Sequence, residues 1–155
     1  MATLVGTELT LMGLLNDLIE LDYDAIEAYK AAIGRVDNLG DRSQLASFLE
    51  DHRQHVEDLS ALVRDMGGEP AEGADIKQVL TKGKVVIGGL LGDRMVLEAM
   101  KTNETDTNTA YERAVARADL PAHVRKVLEK NLADERRHRE WIVQRVSEAE
   151  GILRL

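Results

Sequence analysis

Glu135 and His138 stand three residues apart in Leu132-Ala133-Asp134-Glu135-Arg136-Arg137-His138. On a helix that spacing projects both side chains from one face. The same face carries Val124, Leu128, Asn131 and Ile142 at alternating steps of four and three, the period of a core-facing stripe. A carboxylate and an imidazole thus occupy positions where a bundle packs leucine. Burying them is costly unless they are paired or bound to a metal. An inward-facing Glu-x-x-His is the ligand unit of carboxylate-bridged di-metal bundles. Four residues match by chance in many helices, so the weight falls on what the rest of the chain supplies.

Three further stripes supply partners. The first runs Leu11, Leu15, Leu18, Asp22, Ala25, Tyr29, Ala32, Val36, with Asp22 its one charged member. The second runs Leu45, Phe48, His52, His55, Leu59, Leu62, Met66 and is interrupted by two histidines. The third runs Leu97, Met100, Glu104, Thr107, Tyr111, Ala114, again with one acid. Candidate metal ligands are therefore Asp22, His52, His55, Glu104, Glu135 and His138, each near the middle of its helix.

The stripes predict four helices. The first starts near Thr7 as N-cap and stops at Asn38-Leu39-Gly40. The second opens on an Asp41/Gln44 capping box and stops at Gly67-Gly68. The third starts near Asp93 and the fourth at Pro121, ending at about Glu150 with Gly151 as its cap. Asp22 and Tyr29 repeat as Glu104 and Tyr111 at an offset of 82, and His52 and His55 repeat as Glu135 and His138 at an offset of 83. The words Asp51-His52-Arg53-Gln54-His55 and Asp134-Glu135-Arg136-Arg137-His138 agree as well. The chain reads as one all-α domain over 1–155: two antiparallel hairpins, about 7–67 and 93–150, joined by a crossover over about 68–92. A crossover that recrosses the bundle makes helices 2 and 3 parallel.

Composition narrows the function classes. With 20 Lys and Arg against 28 Asp and Glu, the net charge is −8, which disfavours nucleic acid and anionic membrane as partners. No stretch approaches the ~20 apolar residues of a membrane span. The N-terminus has no basic, apolar leader pattern. The absence of cysteine excludes thiolate sites and disulfides and fits a cytoplasmic location. Val85-Val86-Ile87 and Leu90-Leu91 form apolar segments outside the four stripes, and a homodimer built on them is expected.

Three functional readings follow. One is a di-iron protein handling iron, oxygen or a small-molecule oxidant. Another is a structural or sensory bundle with a single zinc-like ion. The third is a metal-free bundle acting through self-association, its acids and imidazoles forming a salt network. A nitrogen-rich donor set suits zinc, iron, copper or nickel better than magnesium or calcium. The expected cofactor is a divalent metal, iron first, with zinc or manganese as alternatives.

The acid-x6-Tyr units at Asp22/Tyr29 and Glu104/Tyr111, together with Glu135-x-x-His138, resemble the ferritin-like superfamily. The likeness runs from about Leu15 to Trp141. It is closest to a bacterial family of ferritin-like four-helix bundles of unknown function. The resemblance implies a ferritin-like bundle with the long crossover between helices 2 and 3. It makes the acids metal ligands and packs Tyr29 and Tyr111 beside them, and Asn131 on the fourth stripe is expected behind the site as well. The chain departs at His52, where the superfamily carries a bridging glutamate, and at Asp22, where glutamate is usual. Three carboxylates leave a charge of +1 beside two divalent ions, which weakens the expectation of ferroxidase-like activity.

Overall fold

The structure, a computed structural model, describes residues 3–73 and 92–153. Among these residues the chain forms four helices and no strand: α1 (Leu11–Arg35), α2 (Leu39–Asp65), α3 (Asp93–Val115) and α4 (Ala122–Leu153). Val85–Ile87 and Leu90–Leu91, on which the dimer expectation rests, lie outside the described residues. No described helix is long and apolar enough to cross a membrane.

The helix ends follow local capping chemistry. Thr10, not Thr7, caps α1, its Oγ1 accepting from Gly13 N at 3.0 Å. Thr7 instead closes a turn on Leu4 O at 2.7 Å. Asn38 begins α2 rather than ending α1, its Oδ1 accepting from Asp41 N at 2.9 Å. That leaves Asp41 free to meet Arg145 of α4, both of its oxygens at 2.9 Å. Gly67, at φ +82°, and Gly68, bonded to Val63 O at 3.0 Å, close α2 in a Schellman motif. The fourth helix continues through Gly151 to Leu153, so Gly151 does not cap it.

Each hairpin packs on itself, α1 on α2 and α3 on α4, and the hairpins join along α1–α3 and α2–α4. Both joining pairs are antiparallel. At one end of the bundle, Asp93 accepts from the backbone N–H of Asp37 at 2.8 Å and of Asn38 at 3.0 Å. At the other end, Arg113 of α3 donates to Thr3 O at 2.6 Å ahead of α1. Along α2–α4, Arg145 faces Asp41 while Lys130 faces Asp58. Helices α2 and α3 are consequently parallel. The end of α2 and the start of α3 sit at opposite ends of the bundle, about 40 Å apart at 1.5 Å per residue. Residues 68–73 begin that return along α1. Gly68 lies against Met12, Ala71 N donates to Asn16 Oδ1 at 2.8 Å, and Gly73 lies on the Tyr23 ring.

The four stripes meet in the core as their spacing predicts. Leu15, Leu18, Tyr29, Leu45, Phe48, Leu59, Leu97, Met100, Tyr111, Val124, Leu128 and Ile142 are all buried. Met66, the last residue of the second stripe, is exposed at the α2 terminus. Trp141 lies one position off the stripe and packs its ring edge-on to Phe48, 5.6 Å between centroids.

Gly6 shows where the backbone tolerates no side chain. Its φ is +102°, and a Cβ there would lie 2.4 Å from Arg113 Cβ. Gly6→Ala is expected to destabilise the protein by about 1–3 kcal/mol, measured by urea unfolding. An unchanged midpoint would show that the segment ahead of α1 does not fold as one unit with the bundle.

Candidate metal centre

Midway along the bundle the apolar stripes give way to one polar layer. Asp22 on α1, His52 and His55 on α2, Glu104 on α3, and Glu135 and His138 on α4 are each at most 1% exposed. They form two overlapping sets, Asp22/His52/His55/Glu135 and His52/Glu104/Glu135/His138. Within each set, one donor atom per residue lies within 4.8 Å of all the others, a spacing that can hold a metal ion. His52 and Glu135 belong to both sets.

The repeat becomes an approximate two-fold relation around this layer. Tyr29 donates its hydroxyl to Glu104 Oε1 on the opposite hairpin, and Tyr111 donates to Asp22 Oδ2 at 2.6 Å. Asn131 Nδ2 lies 3.3 Å from the Tyr111 hydroxyl. The histidines are fixed the same way. His55 Nε2 is 2.9 Å from Asp134 Oδ2, and His138 Nε2 is 2.8 Å from Asp51 Oδ2. Each hairpin thus orients the other's candidate ligands, as carboxylates do behind metal-bound histidines.

The two sides of the layer differ in how their donors are used. On one side, Asp22 Oδ1 meets His52 Nδ1 at 2.7 Å and His55 Nδ1 at 3.2 Å, while Oδ2 accepts from Tyr111. His55 therefore contacts a carboxylate through each ring nitrogen. Glu135 Oε1 faces this side too, 3.4 Å from His52 Nδ1 and 3.3 Å from His55 Nδ1. On the other side, His52 Nε2, His138 Nδ1 and Glu135 Oε2 are buried without a hydrogen-bond partner. Glu104 Oε1 lies 3.5 Å from His52 Nε2 and 3.6 Å from His138 Nδ1. With its Nδ1 proton on Asp22, a neutral His52 presents the Nε2 lone pair to this second side. With its Nε2 proton on Asp51, His138 presents Nδ1 there as well.

Protonation follows the same pairing. Burial alone would raise the Asp22 carboxyl, but the His55 and His52 imidazoles hold it down at about 2. Burial opposes a cationic His52, yet Glu135, Asp22 and Glu104 push its pKa up to about 10. Against the same penalty, Asp22 and Asp134 push His55 up to about 12. His138 is raised by Asp51 and Glu104. Glu104 is lowered, its burial outweighed by His138 and His52. Glu135 is the exception: burial raises its carboxyl, and the neighbouring Glu104 and Asp22 offset the help of its histidines.

Sequence reasoning meets Asp51 and Asp134 only in the repeated words and Thr107 only as a stripe position, gives none of them a place at the site, and leaves out Asn108. Asp51 and Asp134 precede His52 and Glu135 in the repeated words, and that shared position is the signal that marks them. Thr107 Oγ1 reaches Glu104 Oε2 at 3.2 Å, and Asn108 Nδ2 ties Glu104 O to Glu135 O at 2.7 and 3.0 Å. Asn108 also lines a groove of about 1030 Å³ between α3 and α4, with Arg136 and Arg139 on its walls.

Fold and layer together define an all-α four-helix bundle with a buried histidine–carboxylate centre. Residues 11–117 match the model of the family described as a domain of unknown function, DUF2383, and the chain belongs to that family. The match takes in Asp22, His52, His55 and Glu104 and ends ahead of α4. No curated protein and no solved structure matches the chain.

The pairing sets a pH dependence for the metal-free protein. Imidazoles raised on folding contribute fully below their unfolded value of 6.5 and lose that contribution as pH climbs toward about 10 for His52 and about 12 for His55. Asp22 and Asp134, held at about 2, contribute above their unfolded value of 3.8 and lose it as pH falls toward 2. Thermal unfolding in a chelator should therefore give a lower Tm at about pH 9 than at about pH 6. A Tm that rises instead would show that the histidines are not paired cations.

Proposed function

We propose that this protein binds a divalent transition metal, with its primary position on the His52 Nε2, Glu104, Glu135 and His138 Nδ1 side of the layer. The observation that carries this reading is the convergence there of three buried donor atoms without a hydrogen bond, His52 Nε2, His138 Nδ1 and Glu135 Oε2, beside Glu104 Oε1. Leaving such groups unpaired costs about 1–3 kcal/mol each, more for a charged group, and a cation would meet all three at once. Asp22 and His55, already paired, stand behind this position and orient His52.

Charge supports one ion over two. The carboxylates of Asp22, Glu104 and Glu135 carry −3. One divalent ion and an imidazolium at His55 balance them. Outside the layer, Asp51 and Asp134 are offset by Arg137 and Lys130. Two imidazoles and two carboxylates are a borderline donor set that suits iron, with zinc or manganese as alternatives. Bound iron would supply one-electron chemistry toward oxygen or peroxide, whereas zinc would supply structure or sensing. The bundle's part is to exclude water, orient His52 and His138, and keep the compensating charges in place. The second reading is a ferritin-like di-metal centre, favoured by the sharing of His52 and Glu135 between the two donor sets.

Stoichiometry separates these readings. After chelation and reconstitution with iron(II), zinc(II) or manganese(II), elemental analysis should find about one ion per chain, with uptake releasing about two protons from His52 and His138. Glu135→Ala and His52→Ala should each lower occupancy while the protein stays helical by circular dichroism. His52→Glu, which restores the symmetry of the repeat, should raise the stoichiometry toward two. A wild type that already holds two ions favours the di-metal reading. One that holds none of the three metals leaves the layer as a salt network.

A further inference from the structure

We infer that Arg137 is a positioning residue that controls passage of the metal ion across the α2–α4 seam. The inference rests on the metal reading above and adds to it a route and a gate.

Only at this seam do the described contacts of the layer's side chains lead to partly exposed groups. The tyrosines behind Asp22 and Glu104 are buried, and so are Asn131, Thr107 and Asn108. The carboxylates behind the histidines are different: the side chain of Asp51 is 28% exposed and that of Asp134 is 23% exposed. Each touches solvent on one side and a core imidazole on the other. The backbones of α2 and α4 also approach each other less than those of the other three neighbouring helix pairs, which leaves the seam to side chains. Two acids at this seam, each leading to a candidate ligand, form a relay for a cation.

Arg137 closes that relay. Its Nη2 lies 2.7 Å from Asp51 Oδ2 and 3.1 Å from Asp134 Oδ1, so one guanidinium spans both carboxylates from above. Its planar head also sits over the Phe48 ring, 5.8 Å from the centroid. The side chain itself is half exposed, and so it can swing away without unpacking the core. The repeat supplies no second clasp. Gln54, the counterpart of Arg137 on α2, turns along its own helix to Asp58 at 2.9 Å. A single residue therefore holds the outer carboxylates of both histidines. While it stays in place, it fills the position that an incoming cation would meet first and keeps His55 and His138 in register. When it leaves, both acids become available to an ion.

The competing route is the groove between α3 and α4, where Arg136 lines the wall and pairs loosely with Glu112 at 3.9 Å. Release kinetics tell the routes apart. Wild type, Arg137→Gln, Arg137→Lys and Arg136→Gln are loaded with zinc(II), occupancy is checked by elemental analysis, and transfer to an excess of chromogenic chelator is followed. Arg137→Gln should release zinc about tenfold faster than wild type at similar initial occupancy. Arg137→Lys should fall between them, because an ammonium can hold one carboxylate firmly but not span two. Arg136→Gln should match wild type. Equal rates for Arg137→Gln and wild type, with zinc bound in both, would overturn the gate alone, as would an equal acceleration in Arg136→Gln. A wild type that takes up no zinc, iron(II) or manganese(II) would instead bring down the metal reading and the gate with it.

Discussion

Everything in this bundle depends on keeping six ionisable side chains in a layer that water does not reach. Removing such groups from water costs several kcal/mol per ion unless opposite charges and hydrogen bonds repay it. Part of the repayment stays within a hairpin, as where Asp22 meets His52 and His55, and the rest comes from the other hairpin. Tyrosine hydroxyls steady two of the three inner acids, and outer aspartates steady two of the three histidines. A hairpin on its own would lose the tyrosine and aspartate partners that the other supplies. The polar layer therefore makes the two hairpins mutually dependent, over and above the apolar surface they share.

That dependence also explains the topology. Reciprocal pairing requires Tyr29 to meet Glu104 while Tyr111 meets Asp22, and this is possible only if α1 and α3 run in opposite directions. The crossed pairs of Asp51 with His138 and Asp134 with His55 impose the same condition on α2 and α4. The long connection after α2 is the cost of satisfying both conditions in one chain. Capping contacts at the bundle ends, such as Asp93 on the α1–α2 turn, hold the register that the layer needs.

Much of this was legible from spacing alone. A charged residue on a heptad stripe announces itself because most of the pattern is apolar, and so all six inner residues could be named. The repeat then paired them. Asp51 and Asp134 were harder to see, because they sit beside the stripe, where an acid usually faces solvent. Their role depends on which helix lies next to that flank, and this is a property of the assembled bundle. The inequality of the two sides was not legible at all. It depends on which nitrogen of His52 turns toward Asp22, a rotamer choice made within the packed core. The start of α1 was misplaced for a local reason: Thr7 and Thr10 are equally good caps by type, and the turn at Leu4 claims the first.

The approximate two-fold relation between the hairpins carries one further consequence. In an assembly of two identical hairpins, any substitution is made twice and the centre stays symmetric. A single chain holding both copies is released from that restriction. Histidine can stand at position 52 while glutamate stands at 135, and one half of the layer can hold a cation while the other half only steadies it. Covalent fusion thus lets two matching halves divide the labour between them.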